Sequence, residues 1–117
     1  MVNLEYYRVF YHVAKSGSIT QAAQALFISQ PAVSQAVRNL EAALGGSLFV
    51  RTSRGVRLTP EGEVLYAYVA RGYETLLQAE AKYRELYALE AGVIRVGASD
   101  MTLQFFLLPH LEKFHRQ

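Results

Sequence analysis

Apolar positions in the first 26 residues follow helical spacing in two segments. The stripe of the first segment, residues 3–15, consists of Leu4, Tyr7, Tyr11 and Ala14, widened by Tyr6, Phe10 and Val13. Gly17 is suited to end this helix, and Ser18 can cap a second, short one. The buried side of the second helix is expected to be formed by Ala22, Ala23 and Leu26. The pattern predicts two packed helices joined by a tight turn.

A third helix is predicted from about Gln30. Ser29 is a good N-cap, and Pro31 falls in the first turn, where its missing N–H is not needed. At about 100° per residue, one side of this helix is apolar and is expected to face the core: Val33, Val37, Leu40 and Leu44. The opposite side is small, amide-bearing or cationic: Pro31, Ser34, Gln35, Arg38 and Ala42. The second and third helices, joined by a tight turn, match the helix-turn-helix of proteins that insert a helix into a DNA groove. A solvated face on a three-helix core is the alternative.

Two short β-prone runs after the glycines at 45 and 46 predict a hairpin, or wing. They cover residues 48–50 and 56–58 around a tip at 52–55, and Leu48, Phe49 and Leu58 are expected to pack on the helices. Arg51, Arg54 and Arg57 lie within seven residues, and only Glu5 and Glu41 could pair with them inside residues 1–60. The wing arginines are therefore predicted to contact phosphate.

A long helix is predicted over residues 59–91. Thr59 can cap it, Pro60 suits its first position, and Glu61 lies near the positive end of its dipole. Spacings of three and four give the seam of a coiled-coil-like pair: Leu65, Val69, Gly72, Leu76, Ala79, Tyr83 and Leu86. We expect a homodimer built on this seam. Packing against the first helix of the same chain is the alternative, and both can hold, because a second apolar strip is formed by Tyr66, Tyr73, Leu77 and Tyr87.

Residues 92–117 have a different pattern. Residues 93–97 predict a short buried strand, Ser99 and Asp100 a turn, and residues 102–115 a helix in which Pro109 is discordant. One strand and one helix cannot form a sheet, so this segment is expected to be the first βα unit of a truncated domain. The predicted domains are thus residues 1–58, 59–91 and 92–117.

Charge is distributed unevenly along the 117 residues, whose formal net charge is +2. Residues 1–60 carry six basic side chains and two acidic ones, a net charge of +4, whereas residues 61–90 carry three basic and six acidic ones, a net charge of −3. This asymmetry favours contact between the first half and a polyanion. Random scatter of surface charge is the alternative.

Composition argues against several kinds of site. The chain has no cysteine, which excludes disulfides, thiolate metal sites and cysteine nucleophiles and is compatible with the cytoplasm. His110 and His115 are five residues apart, with Glu112 between them, which does not match a helical zinc motif. His12 is expected to be a packed or surface side chain. No apolar run approaches the roughly 18–20 residues of a membrane span, so we expect a soluble protein. Because neither the composition nor the histidine spacing offers a catalytic or metal site, we also expect that it is not an enzyme and has no cofactor or metal.

The order of these motifs resembles the N-terminal part of LysR-type bacterial transcriptional regulators. The resemblance rests on Ser18-Ile19-Thr20-Gln21-Ala22-Ala23, Ser29-Gln30-Pro31-Ala32-Val33-Ser34, Leu40-Glu41, Leu48-Phe49-Val50-Arg51 and Leu58-Thr59-Pro60-Glu61-Gly62. It implies a mainly α fold, a winged helix-turn-helix of three helices and a two-stranded wing followed by a long dimerisation helix. It also implies that the truncated domain is the start of an effector-binding domain.

The resemblance further implies contacts for individual residues. Those expected to approach base edges in the major groove are Gln30, Pro31, Ser34 and Gln35. Thr20 and Arg38 are expected to meet phosphates, and Arg51 and Arg54 to lie at the adjacent minor groove or phosphates. Gln35 stands where the family often has arginine, which favours adenine over guanine, because glutamine can pair bidentately with adenine.

The main hypothesis is sequence-specific binding of double-stranded operator DNA by a cytoplasmic homodimer that regulates transcription. A small-molecule effector is expected only in a full-length parent, and whether the parent's dimers pair into tetramers stays open. The alternative hypothesis is a helical protein-interaction module with an incidental basic wing. A steep fall of duplex affinity with rising salt distinguishes the two.

Overall fold

The computed structural model describes residues 1–96, with side chains described for residues 1–89. Its elements are α1 (Leu4–Ser16), α2 (Ile19–Leu26), α3 (Gln30–Leu44), β1 (Phe49–Thr52), β2 (Gly55–Leu58) and α4 (Pro60–Val96). Three helices, an antiparallel two-stranded wing and a long helix follow one another in the predicted order. The predicted mainly α winged helix-turn-helix is therefore confirmed.

Local capping chemistry sets the ends of the short helices. The Ser18 side chain accepts from the Gln21 N–H, and the Ser29 side chain accepts from the Ala32 N–H, as predicted for both residues. Gly17 ends α1 in the left-handed conformation, with φ of 69°. Phe27 ends α2 in the same region, with φ of 58°, which is unusual for a residue with a side chain.

The core lies between α1, α2 and α3 and extends under the wing. One cluster of buried residues consists of Val9, Val13, Ala22, Ala23, Leu26, Val33, Ala36 and Val37. A second consists of Phe10, Leu40 and Leu48, on which the partly buried Phe49, Leu58 and Leu65 pack. Fully burying a side chain such as Phe10 stabilises the fold by about 1.5–3 kcal/mol. The predicted packing of the wing against the helices is confirmed.

Two predicted core positions are wrong. Leu44 is 46% exposed, because it is the last residue of α3 and the chain turns away at Gly45. Leu4 is 63% exposed in the first turn of α1, whereas Val9, which the predicted stripe leaves out, is completely buried. Both errors occur because helical periodicity predicts which side of a helix faces the core, but not how far along the helix the core extends.

The wing is attached to the C-terminal end of α1. The Val56 N–H donates to the Gly17 carbonyl oxygen at 3.1 Å. Gly55 has φ of 146°, and a Cβ atom there would clash with the same oxygen. A glycine at position 55 is therefore required for the wing to approach α1 this closely.

Thr59 connects the wing to the start of α4. Its hydroxyl donates to the Ser47 carbonyl at 2.8 Å and accepts from the Gly62 N–H at 2.9 Å. Its own N–H donates to the Leu48 carbonyl at 3.0 Å. The prediction that Thr59 caps α4 is confirmed, and the cap also anchors the segment that enters β1.

The strand predicted over residues 93–97 is wrong for residues 93–96, because α4 continues through Gly92 to Val96. A glycine lowers helix stability by about 1 kcal/mol relative to alanine without ending the helix. A helix also pairs its own N–H and C=O groups, whereas a single strand needs a neighbour. Gly97, the predicted turn and the predicted helix over residues 102–115 lie outside the described residues.

The chain divides into two units between Thr75 and Leu76. The first contains the winged helix-turn-helix and the beginning of α4, and the described part of the second is the remainder of α4. Within residues 1–96, none of the helices combines the length and apolar content that crossing a membrane requires.

Candidate nucleic-acid interface

An open groove of about 510 Å³ lies in the first unit, between the helix-turn-helix and the wing. It is lined by Ser18, Ile19, Thr20, Gln30, Pro31, Ser34, Arg51, Arg54, Gly55 and Val56. Six of the eight residues predicted to contact DNA are thus brought together: Thr20, Gln30, Pro31, Ser34, Arg51 and Arg54. The other two, Gln35 and Arg38, do not line the groove and lie exposed further along α3.

Strand register explains why Arg51 lines the groove and Arg57 does not. Residues Phe49 and Leu58 are paired across the wing, as are Arg51 and Val56, so both pairs share the face that packs toward the helices. Arg57 pairs with Val50 on the opposite face. Arg51 is therefore directed to the groove side by alternation along β1, whereas Arg57 is directed away from it.

Helix termini add to the positive character of the groove. The first residues of both α2 and α3 line it. The first N–H groups of a helix have no intrahelical acceptor, and the helix dipole places partial positive charge at that end. Because both termini open on one groove, backbone N–H groups and guanidiniums act together there, which suits phosphate oxygens.

The two acidic side chains of residues 1–60, Glu5 and Glu41, form their hydrogen bonds outside the groove. Glu5 Oε2 accepts from Arg8 Nη2 at 2.8 Å, and Glu41 Oε2 accepts from the Leu48 N–H at 2.8 Å. None of the ion pairs within residues 1–89 involves an arginine of the wing. Among residues 1–89, the charged side chains that line the groove are Arg51 and Arg54, so the formal charge of its lining is positive.

Gln35 and Arg38 belong to a hydrogen-bond network that runs across α3. Arg38 Nη2 donates to Gln35 Oε1 at 3.0 Å, and Gln35 Nε2 donates to Asn39 Oδ1 at 2.8 Å. Asn39 Nδ2 in turn donates to the Tyr6 hydroxyl on α1 at 3.2 Å. The exposed amide of Gln35 is therefore held on both of its polar atoms.

The predicted dimer seam has two different environments. Leu65 and Val69 are half-buried and pack on the Phe10 cluster of the same chain, so the intramolecular alternative holds at these two positions. In the second unit, Leu76 is 61% and Tyr83 66% exposed. A shallow groove of about 360 Å³ there is lined by Leu76, Ala79, Glu80, Tyr83 and Arg84.

A cluster of aromatic and ionisable side chains lies where α1 meets the first part of α4. The Tyr11 hydroxyl donates to Glu74 Oε2 at 2.9 Å and accepts from Lys15 Nζ at 3.3 Å. Burial, together with the bond to Glu74, raises the pKa of Tyr11, and the bond to Tyr11 raises the pKa of Lys15.

His12 lies beside this cluster, with its ring edge-on to Tyr73 at 5.9 Å between centroids. Partial burial lowers its pKa, and the charges of Arg8 and Lys15 lower it further. The prediction that His12 is a packed or surface side chain is consistent with this half-buried position. Within the described residues no group of three potential metal ligands occurs.

Residues 4–63 match the family of bacterial regulatory helix-turn-helix proteins of the lysR type. The matched segment covers α1, α2, α3, the wing and the start of α4. The chain belongs to the LysR family. The resemblance inferred from the sequence motifs is therefore confirmed.

Several relatives in the LysR family are regulators by name. The chain is 38% identical over 114 residues to the "Probable RuBisCO transcriptional regulator" of Cyanidioschyzon merolae, covering 97% of this chain and 37% of that protein. It is 35% identical over 116 residues to the HTH-type transcriptional regulator BenM of Acinetobacter baylyi, covering 99% of this chain and 38% of BenM. The LysR-family chain thus spans less than two fifths of the length of these relatives.

Solved structures of LysR-family proteins share the fold. The DNA-binding domain of BenM, in complex with catB site 1 DNA, matches with a TM-score of 0.65 and 35% identity over 74% of this chain and 97% of that one. The DNA-binding domain of CbnR, in complex with DNA, matches with a TM-score of 0.61 and 30% identity over 72% of this chain and 97% of that one.

Sequence reasoning did not identify every residue of the interface in this LysR-family chain. Ser18 and Ile19 line the groove, although the sequence suggested only a capping role for Ser18. The signal was available, because the start of a helix is an anion-binding position wherever it is exposed. The roles of Asn39 and Tyr6 had no such signal, since 33 positions separate the two residues in the chain.

Proposed function

We propose that this LysR-family chain binds double-stranded DNA sequence-specifically as a homodimer and regulates transcription from the bound operator or promoter. The observation that carries this proposal is the groove in which the first turns of α2 and α3 meet Arg51 and Arg54 without an acidic residue. Such a surface matches a phosphate backbone in charge and supplies exposed side chains for base edges. The DNA complexes formed by the similar domains of BenM and CbnR support the same role.

The proposed roles of the site residues follow their positions. Thr20 at the start of α2, Arg38 on α3 and Arg51 and Arg54 on the wing contact phosphates. Four residues of α3, of which Ser34 is half-buried and the others are exposed, are proposed to contact base edges in the major groove: Gln30, Pro31, Ser34 and Gln35. No catalytic step and no cofactor are part of this function, and binding to chromosomal DNA implies a cytoplasmic location.

The homodimer is proposed to form through α4. Its support is the exposed apolar part of the seam, where Leu76 and Tyr83 border a groove and no side chain lies within 4 Å of a Cβ placed at Gly72. Apolar residues at spacings of three and four are the pattern by which two helices pack along their length. A two-fold dimer predicts a roughly palindromic target, with half-sites separated by whole turns of the DNA.

The longer relatives suggest how the chain is organised. Residues 1–58 are proposed as the DNA-binding domain and residues 59–91 as the linker and dimerisation helix, although the helix itself continues to Val96. An effector-binding domain is proposed to begin within residues 92–117. A small-molecule effector would act only on a longer parent protein.

Selection of bound duplexes from a random pool tests the function directly. We expect the selection to recover a palindrome. The affinity of the chain for this duplex should fall steeply as salt rises, with a log–log slope of about −0.9 for each phosphate contacted. Absence of enrichment, together with affinity that does not depend on salt, would overturn the proposal in favour of a protein-interaction module.

A further inference from the structure

The network that ends on Gln35 has a defined direction. Arg38 carries only donors, so the atom of Gln35 that faces it must be the acceptor Oε1. The NH₂ group of Gln35 then faces Asn39, whose acceptor Oδ1 must receive it, and the Asn39 NH₂ group faces Tyr6. Each orientation follows from the one before it, and the Tyr6 hydroxyl must act as the final acceptor.

The network leaves Gln35 with the groups that an adenine edge requires. A glutamine amide has two N–H donors and two acceptor lone pairs. One donor is used on Asn39 and one lone pair on Arg38, so one of each remains on an exposed side chain. Adenine offers an acceptor at N7 and a donor at N6, which match this remaining pair.

Tyr6 provides the fixed end of the network. Its ring is half-buried and packs against both core clusters, whereas Gln35 is exposed. An exposed glutamine ordinarily loses rotamer freedom on binding, and holding it in advance reduces that cost. The core thus limits the movement of a side chain at the proposed DNA surface through two hydrogen bonds.

We propose that Asn39 and Tyr6 are positioning residues that set the direction of the Gln35 amide and so determine its preference for adenine. This inference rests on the proposed function, because it requires that α3 approaches base edges. Neither residue needs to contact DNA.

The test uses the complete chain and the palindrome recovered by the selection experiment. Gln35→Ala first identifies the base pair in each half-site at which discrimination is lost. The discrimination ratio is then the Kd for a duplex with G·C at that pair in one half-site divided by the Kd for the recovered duplex. Both values are measured by fluorescence anisotropy over a range of salt concentrations.

Tyr6→Phe removes the final acceptor and keeps the ring that packs on the core. We expect the discrimination ratio to fall roughly three- to tenfold, the loss expected for one hydrogen bond, with no change in the salt slope. Tyr7→Phe is the matched control, because Tyr7 also lies half-buried on α1 and does not belong to the network. In the Gln35→Ala background, Tyr6→Phe is expected to have no further effect on the ratio.

Two substitutions at Asn39 separate positioning from charge. Asn39→Ala removes the acceptor for Gln35, and the ratio is expected to fall as it does for Tyr6→Phe. Asn39→Asp keeps an acceptor for Gln35, and the Tyr6 hydroxyl can rotate to donate to the new carboxylate, so the link to the core is retained with its direction reversed. The ratio is therefore expected to persist, while the added negative charge lowers affinity for every duplex alike.

The outcomes separate this inference from the proposed function. If Gln35→Ala lowers the ratio while Tyr6→Phe and Asn39→Ala leave it at the wild-type value, the positioning role is overturned and the proposed function stands. A lower ratio in Asn39→Asp than in Asn39→Ala would also overturn it. If the wild-type chain recovers no palindrome and binds without salt dependence, the proposed function itself fails.

Discussion

Arg51 and Arg57 carry the same charge on opposite faces of one small ribbon. Arg51 lines the groove and shares a face with residues that pack on the helices, whereas Arg57 is paired with Val50 on the other face. Their positions allow the contribution of charge alone to be distinguished from the contribution of charge at the interface.

We predict that Arg51→Ala reduces the magnitude of the log–log salt slope by about 1.8, because the homodimer loses one phosphate contact of about 0.9 in each half-site. Arg57→Ala should leave the slope nearly unchanged, although it removes the same charge. Binding of the recovered duplex measured between low and moderate salt gives both slopes. Equal changes in the two variants would contradict the assignment of Arg51 to the groove.

His12 predicts a pH dependence of folding stability. Its pKa is lower in the folded chain than the ordinary value of 6.5, so protons bind the unfolded chain preferentially. The contribution of neutral His12 to the free energy of unfolding should have its full value above pH 6.5. It should decrease as the pH falls from there through the folded-state pKa. Urea unfolding of wild type and His12→Gln at several pH values measures the difference.

The variant should lose only the part of the pH dependence that His12 causes. His110 and His115 are present in both proteins, so they cancel in the comparison. A wild-type profile that parallels the His12→Gln profile between pH 7.5 and 5 would argue against the partial burial of this ring.

At the scale of single residues, sequence reasoning located exposed polar side chains but not their partners. Gln35 was expected on the outward face of α3 from helical arithmetic alone, and it lies there. Its link to Tyr6 depends on how α1 crosses α3, which the local sequence does not encode. Leu65 and Val69 show the same limit, because an apolar spacing does not state which surface covers it.

The position of the wing depends on one close approach between elements. Gly55 lies against the carbonyl oxygen of Gly17, in a backbone conformation that side chains rarely adopt. Gly46, between α3 and the wing, has open space where a Cβ would lie. The two glycines therefore form a matched pair for substitution.

We predict that Gly55→Ala destabilises the chain by about 2–4 kcal/mol, combining backbone strain with the clash against α1. Gly46→Ala should change the free energy of unfolding by less than about 1 kcal/mol, because no contact opposes the new methyl group. Urea denaturation gives both values, and comparable destabilisation in the two variants would contradict the described docking of the wing.

Elements determined by local chemistry could be predicted from the sequence, and elements determined by a distant partner could not. Ser18, Ser29 and Thr59 marked helix starts correctly, because a cap needs only the next three residues. The strand expected over residues 93–97 was wrong at residues 93–96, where α4 continues. A run of β-branched residues forms a strand only when another strand pairs with it.

At the scale of the whole molecule, the proposed property is self-association through α4. Tyr83 and Tyr68 lie on the same helix, and each is 66% exposed. Tyr83 belongs to the apolar groove of the second unit, whereas Arg71 lies over the ring of Tyr68 in the first unit. Substituting each with glutamate therefore compares the proposed seam with an equally exposed position outside it.

We predict that Tyr83→Glu weakens the dimer by about thirtyfold, equivalent to about 2 kcal/mol, because it places an unpaired charge in an apolar contact. Tyr68→Glu should leave the association constant within about threefold of wild type. Sedimentation equilibrium measures both. A wild-type chain that remains monomeric throughout the tested concentrations would contradict the dimer proposal.

The proposed dimer rests on a heptad-like pattern whose positions have two different environments in this chain. Its first positions, Leu65 and Val69, cover the core of the same chain, and its later positions, Leu76 and Tyr83, are exposed. Periodicity alone cannot separate these uses, since both require apolar side chains on one side of a helix.

The wing is held at its base and not by its charged tip. The Gly17 carbonyl accepts from the Val56 N–H and excludes a side chain at position 55, and Phe49 and Leu58 pack on the core. Residues 52–54 at the tip are exposed. The tip can therefore be exchanged for the tip of another regulator without moving β1 and β2. In such a chimera, the base preference proposed for α3 should be retained, whereas tolerance of ionic strength should follow the donor of the tip.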